Sequence, residues 1–129
     1  LILADQGELD YLVLECLAER TIALAQKRKL QDASKGYDPL LEKRIKSLLP
    51  LLVKNQIKLI TNMGAANPLA AAQKVIEIAK ELNLSIKVAA VTGDDATQWV
   101  KNSSTPRSAS NLKFVPCAFR AAISETGMP

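Results

Sequence analysis

The 129-residue chain is 48% hydrophobic and 4% aromatic, which gives room for one domain with an Ala/Leu/Ile/Val core and none for two. Its formal charge of +4 is spread over Lys27-Arg28-Lys29, Lys43-Arg44, Lys46 and Lys101. That reads as solvated helix faces rather than a nucleic-acid footprint. The absence of histidine excludes Ser-His-Asp and Cys-His catalysis and His-ligated zinc, leaving carboxylates, amides, lysines and backbone dipoles as the available chemistry.

Residues 1–6 read as the end of a helix with Gly7 as terminator, so the chain is expected to be a fragment that opens inside an element. Tyr11-Leu12-Val13-Leu14-Glu15 is a short apolar run of the kind expected for a strand covered on both faces. A helix is expected over 17–31, with Ile22, Leu24, Ala25 and Leu30 set against Lys27, Arg28 and Lys29, and the Ser34-Lys35-Gly36-Tyr37 turn ends it. Asp38-Pro39 then supplies a cap and a first-turn proline. Leu41, Ile45, Leu48, Leu49 and Leu52 follow on one side, and Pro50 inside that pattern predicts a kink or a restart.

Ile57 to Thr61 is the second expected strand, and it ends in Asn62-Met63-Gly64-Ala65-Ala66. Asn67-Pro68 repeats the cap-and-proline start. It opens a helix to about Leu82 with the stripe Leu69, Ala72, Val75, Ile76, Ala79 and Leu82, stopped by Asn83. Ile86 to Val91 is the third expected strand, leading into Thr92-Gly93-Asp94-Asp95, and a short helix is expected from Ala96 to Lys101. A Ser-rich loop follows from Asn102 to Asn111. A strand over Leu112 to Val115 and a helical turn or two over Ala118 to Ser124 complete the reading. The units are therefore an α/β domain over 1–101 and a tail over 102–129. The order β-α-α-β-α-β predicts a three-layer, Rossmann-like open parallel sheet with helices on both faces. In such sheets ligands sit beyond the carboxyl ends of the strands.

Three loops at those ends carry the polar residues. Gly64 and Ala65 let backbone approach a ligand closely, and the helix start at Asn67-Pro68 offers unpaired N–H groups and a positive dipole end. This is either a cradle for a CoA or nucleotide phosphate or only a tight strand-to-helix turn, since the spacing of the known phosphate loops is missing. Asn62 is placed to orient a carbonyl or phosphate, or to hold the turn's own backbone. Thr92, Gly93, Asp94 and Asp95 form the third loop. Its carboxylates fit a Mg²⁺ ligand, a ribose hydroxyl acceptor or a general base, or plain helix capping. Glu15 ends the first strand, either as a base whose pKa burial raises or as a partner of Arg20. Cys16 reads as small core packing, because no histidine exists to activate it. Trp99 reads as a core or lid contact. No metal centre is expected. Glu15, Asn62 and Asp94 are expected to share one rim.

Cys16 and Cys117 lie far apart with no C-x-x-C spacing, and no run is long and apolar enough for a leader or a membrane span. A reduced, cytoplasmic protein without membrane or nucleic-acid partners is the expectation. An unpaired sheet edge would favour a homodimer.

Leu9-Asp10-Tyr11-Leu12-Val13-Leu14-Glu15-Cys16-Leu17-Ala18-Glu19-Arg20-Thr21, Gly36-Tyr37-Asp38-Pro39-Leu40-Leu41, Thr61-Asn62-Met63-Gly64-Ala65-Ala66-Asn67-Pro68 and Val91-Thr92-Gly93-Asp94-Asp95 together resemble the N-terminal part of the acyclic terpene utilisation family. Members of that family take part in the bacterial breakdown of citronellol and geraniol. The resemblance covers about residues 1–96, with the tail from Gln98 onward outside it. Family members begin upstream with a glycine-rich strand and continue further, so a truncated product is the expectation here. The resemblance implies a cytoplasmic protein acting on or binding an anionic acyl-CoA-type intermediate, and supplies no catalytic residues. If the chain is an enzyme, Glu15 or Asp94 is the expected acid/base. The competing reading is a non-catalytic interaction module or an inactive truncated copy.

Overall fold

In the computed structural model, residues 1–93, Asn102 and Ile123–Ser124 are described. Helix α1 spans Ile2–Gln6, and Gly7 closes it by donating its N–H to the Leu3 carbonyl. Strand β1, Tyr11–Leu14, runs parallel to β2, Lys58–Thr61, with Leu12 opposite Leu59 and Leu14 opposite Thr61. Between them come α2, Glu19–Gln31, and α3, Leu41–Lys54. After β2 follows α4, Pro68–Glu81. A short strand β3, Lys87–Val88, pairs antiparallel with β4, Ile123–Ser124.

Hydrophobic spacing explains the core. Leu41, Ile45, Leu48, Leu49 and Leu52 are all buried, as their i, i+4, i+7 recurrence requires. They pack with Leu59 of β2, with Ala71, Val75, Ile78 and Ala79 of α4, and with Ala4 of α1. Leu12 and Leu14 of β1 lean on the same cluster. The amide of Asn55 ties α1 to the end of α3 by donating to the Ala4 carbonyl at 2.7 Å.

Several expectations are corrected. Tyr11 and Val13 are 53% and 64% exposed, so β1 is covered on one face only; its apolar run does not mark burial on both sides. Pro50 does not restart a segment but sits within the single helix α3. Its ring is on the exposed side, where the carbonyl that loses an N–H partner can be solvated. The buried side of α4 is Ala71, Val75, Ile78 and Ala79, whereas Leu69 is exposed. In α2 only Ala25 is fully buried, and Leu24 and Leu30 face out.

The third strand is shorter than the expected Ile86 to Val91 and is not a parallel neighbour of β2; it takes an antiparallel partner. Ile123 and Ser124 lie in that strand and not in a helical turn. The helix expected from Ala96 to Lys101 and the strand from Leu112 to Val115 lie outside the described residues. Among the described residues the fold is mixed helix and strand, with a two-stranded parallel sheet and a two-stranded antiparallel one.

Candidate anion-binding cleft at the strand ends

Parallel pairing in register decides what meets at the carboxyl edge. Leu14 stands opposite Thr61, so the next residues, Glu15 and Asn62, emerge side by side. The Asn62 Nδ2 group donates to Glu15 Oε1 at 2.9 Å, and Asn62 Oδ1 accepts the Cys16 N–H at 2.7 Å. Glu15 Oε1 also accepts the Leu17 N–H at 2.9 Å. One rung lower, Thr61 Oγ1 donates to the Leu14 carbonyl at 3.0 Å. The two strand ends are thus stitched by side chains where the ladder stops.

Glu15 does not behave as a buried base. It is exposed, and its carboxyl is held below its ordinary pKa, first by the Asn62 amide and then by the Leu17 N–H, against a smaller opposing effect of burial. No ion pair joins it to Arg20 among the described residues. A carboxylate with two donors on one oxygen is ionised and oriented, which suits it to positioning Asn62 and makes it a weak proton acceptor.

Beside this pair opens a cleft of about 290 Å³, walled by the strand ends, α2 and the loop that enters α3. Cys16, Thr21, Arg28, Asp38, Asn62 and Ala65 line it. Arg28, which the sequence reading counted among solvated basic residues, is its cation. The Arg28 guanidinium donates to the Tyr37 carbonyl at 3.5 Å, while its Nε is buried without a partner. Ala25, three residues earlier on the same side of α2, is fully buried against Ala65 and Ala66. Lys29 adds a bond from Nζ to the Ala66 carbonyl at 2.9 Å. The signal for Arg28 was therefore its i+3 spacing from the one buried alanine of α2.

The glycine turn is differently employed than expected. Gly64, Ala65 and Ala66 are buried. The N–H groups of Ala65, Ala66 and Asn67 are taken by the carbonyls of Asn62, Gly36 and Gly64. Asn67 caps α4 by accepting from the Ala70 N–H, and its amide donates to the Ala33 and Lys35 carbonyls. These amides brace the loops instead of standing open as a cradle; of the expected turn residues, Ala65 reaches the cleft. Thr92 and Gly93 are exposed and are not among its lining residues. Asp94 and Asp95 lie outside the described residues, as do Trp99 and Cys117. Among the described residues no three carboxylate or thiol groups gather as a metal site would need, and no helix is long and apolar enough to cross a membrane.

Fold and cleft together define an α/β domain with an arginine-lined site beyond the ends of two parallel strands. Over residues 1–120 the sequence matches the acyclic terpene utilisation family protein AtuA, and the chain belongs to that family. The match runs well past residue 96, which corrects the expectation that the tail from Gln98 onward lies outside the family. No curated protein and no solved structure matches the chain.

Proposed function

We propose that the cleft binds an anionic, acyl-CoA-type intermediate of acyclic terpenoid breakdown in the cytoplasm. The observation that carries this reading is Arg28: a guanidinium at the cleft wall with no carboxylate within ion-pairing distance among the described residues and with an unpartnered Nε. A buried donor without an acceptor costs free energy that an anion would recover. Asn62 uses one amide hydrogen on Glu15 and keeps a second for the ligand. Family membership supports the terpenoid context. The parallel β1–β2 pair with helical crossovers supports a Rossmann-like, three-layer arrangement, whose strand-end edge carries Glu15 and Asn62. In this reading Asp94 is the better proton acceptor, because Glu15 is committed to Asn62.

Titration with CoA, acyl-CoA thioesters and nucleotides, read by thermal unfolding, tests the proposal. A ligand at a hundred times its dissociation constant adds about 2.7 kcal/mol to a state that binds it alone. Arg28→Gln is expected to abolish that shift while the free protein melts as before. A protein indifferent to all of these ligands, and dimeric at low concentration, would be an interaction module instead.

A further inference from the structure

A second cavity of about 510 Å³ lies between α1, β1 and α3. Its floor is hydrocarbon from Leu3, Leu12, Leu14 and Leu48, and one wall carries Lys43, Arg44 and Ser47 from α3. Leu40 borders both this groove and the cleft. So does the reach of Arg44, which lines the groove while its Nη1 donates to Cys16 Sγ at 2.8 Å.

A thiol sulfur is a weak acceptor, and a guanidinium offers a fork of donors matched to a carboxylate. Among the described residues neither Arg44 nor Lys43 forms an ion pair. The groove therefore pairs a leucine floor with two unneutralised cations on a single helical wall. Its volume falls within the range of small-ligand sites. An apolar ligand without charge would fill the floor and leave the cations unmatched. A chain with a carboxylate at one end satisfies both.

We infer that the groove between α1, β1 and α3 binds an aliphatic carboxylate, its hydrocarbon chain on the leucine floor and its carboxylate on Arg44 and Lys43. This goes beyond the cleft reading: the groove has its own cations, and it can fill whether or not Arg28 holds an anion.

The test is calorimetric titration with hexanoate, octanoate and decanoate below their micelle concentrations, with 1-octanol as the uncharged control. Each buried methylene tightens binding about fourfold, so octanoate should bind roughly fifteenfold better than hexanoate. The double variant Lys43→Gln/Arg44→Gln should erase the preference for octanoate over 1-octanol and keep the chain-length trend. Ser47→Glu, at an exposed position three residues from Arg44, places a carboxylate beside the guanidinium and should weaken octanoate about tenfold while 1-octanol binds unchanged. Arg28→Gln should alter none of these values, which separates this site from the cleft. Affinity independent of chain length, or a Lys43→Gln/Arg44→Gln protein that still prefers the carboxylate, overturns the inference. So does a concentration-dependent dimer that Leu3→Glu dissociates and octanoate does not, which would make the groove a contact between copies.

Discussion

Replacing Asn62 by alanine removes the acceptor of the Cys16 N–H and the donor to Glu15 in one step. The Cys16 bond is short, 2.7 Å, and part-buried. A buried donor left unmatched costs about 1–3 kcal/mol, and partial solvation places this one in the lower half, about 1–1.5 kcal/mol. The Asn62–Glu15 bond lies in solvent, so it adds orientation more than stability. Urea unfolding should show the loss as a lower midpoint with an unchanged slope, and heating should show roughly 4 °C per kcal/mol for a chain of this size. Asn62→Asp keeps the acceptor for Cys16 but sets a carboxylate against Glu15. Adding Glu15→Gln restores a donor–acceptor pair with the roles exchanged, because a glutamine can accept from Leu17 through oxygen and donate through nitrogen. The double variant N62D/E15Q should therefore be more stable than N62D alone. A cost for Asn62→Ala below about 0.3 kcal/mol, or a double variant no better than N62D, would refute the claim that this amide joins the strand ends.

Glu15 gives a pH prediction. Its carboxyl is depressed in the folded protein, so the stabilisation is present above the unfolded-state value and is lost as pH falls through the folded value. Carboxyl-carbon NMR should show Glu15 titrating below an ordinary glutamate and returning towards it in Asn62→Ala; no change would separate the two residues. Gly36 has φ +105°, and an added Cβ would lie 2.8 Å from Lys29 Cβ and 3.1 Å from Asn67 Cβ. Gly36→Ala should cost more than about 1 kcal/mol and loosen α2 from the loop, with faster amide exchange near Arg28 as the readout. Pro50 sits on the exposed side of α3. Pro50→Ala should stabilise the protein by roughly 1–2 kcal/mol, the helix-interior gain of up to about 3 kcal/mol less the entropy returned to the unfolded chain; a lower urea midpoint would show that the proline is accommodated without cost.

Local chemistry made much of this legible. The leucine spacing of α3, the Asn67-Pro68 start of α4 and the stop at Asn83, whose φ is +55°, are all governed by residues within a few positions of one another. The pairing of Glu15 with Asn62 was also within reach, because two strands that end in polar residues at the same edge of a parallel sheet bring them together whatever surrounds the sheet.

Burial was different, since it depends on which elements lie across a face and no local pattern carries that. Val13 and Leu12 are alike in sequence, yet one is exposed and the other leans on the core. The stripe on α4 shifted for the same reason: α3 and β2, not the helix itself, chose Ala71 and Ile78 over Leu69.

The sequence by itself determined helices α1 to α4, the first two strands, the strand-end meeting of Glu15 and Asn62 and the family. Only the tertiary structure decided that the N–H groups of the glycine turn are spent on neighbouring carbonyls, that Glu15 is an ionised strut, and that Arg28 and Arg44 line two cavities. Several of those outcomes turn on contacts far apart in the chain, such as Arg44 with Cys16 across 28 positions and Asn62 with Glu15 across 47. Packing sets such distances, and spacing along the chain does not.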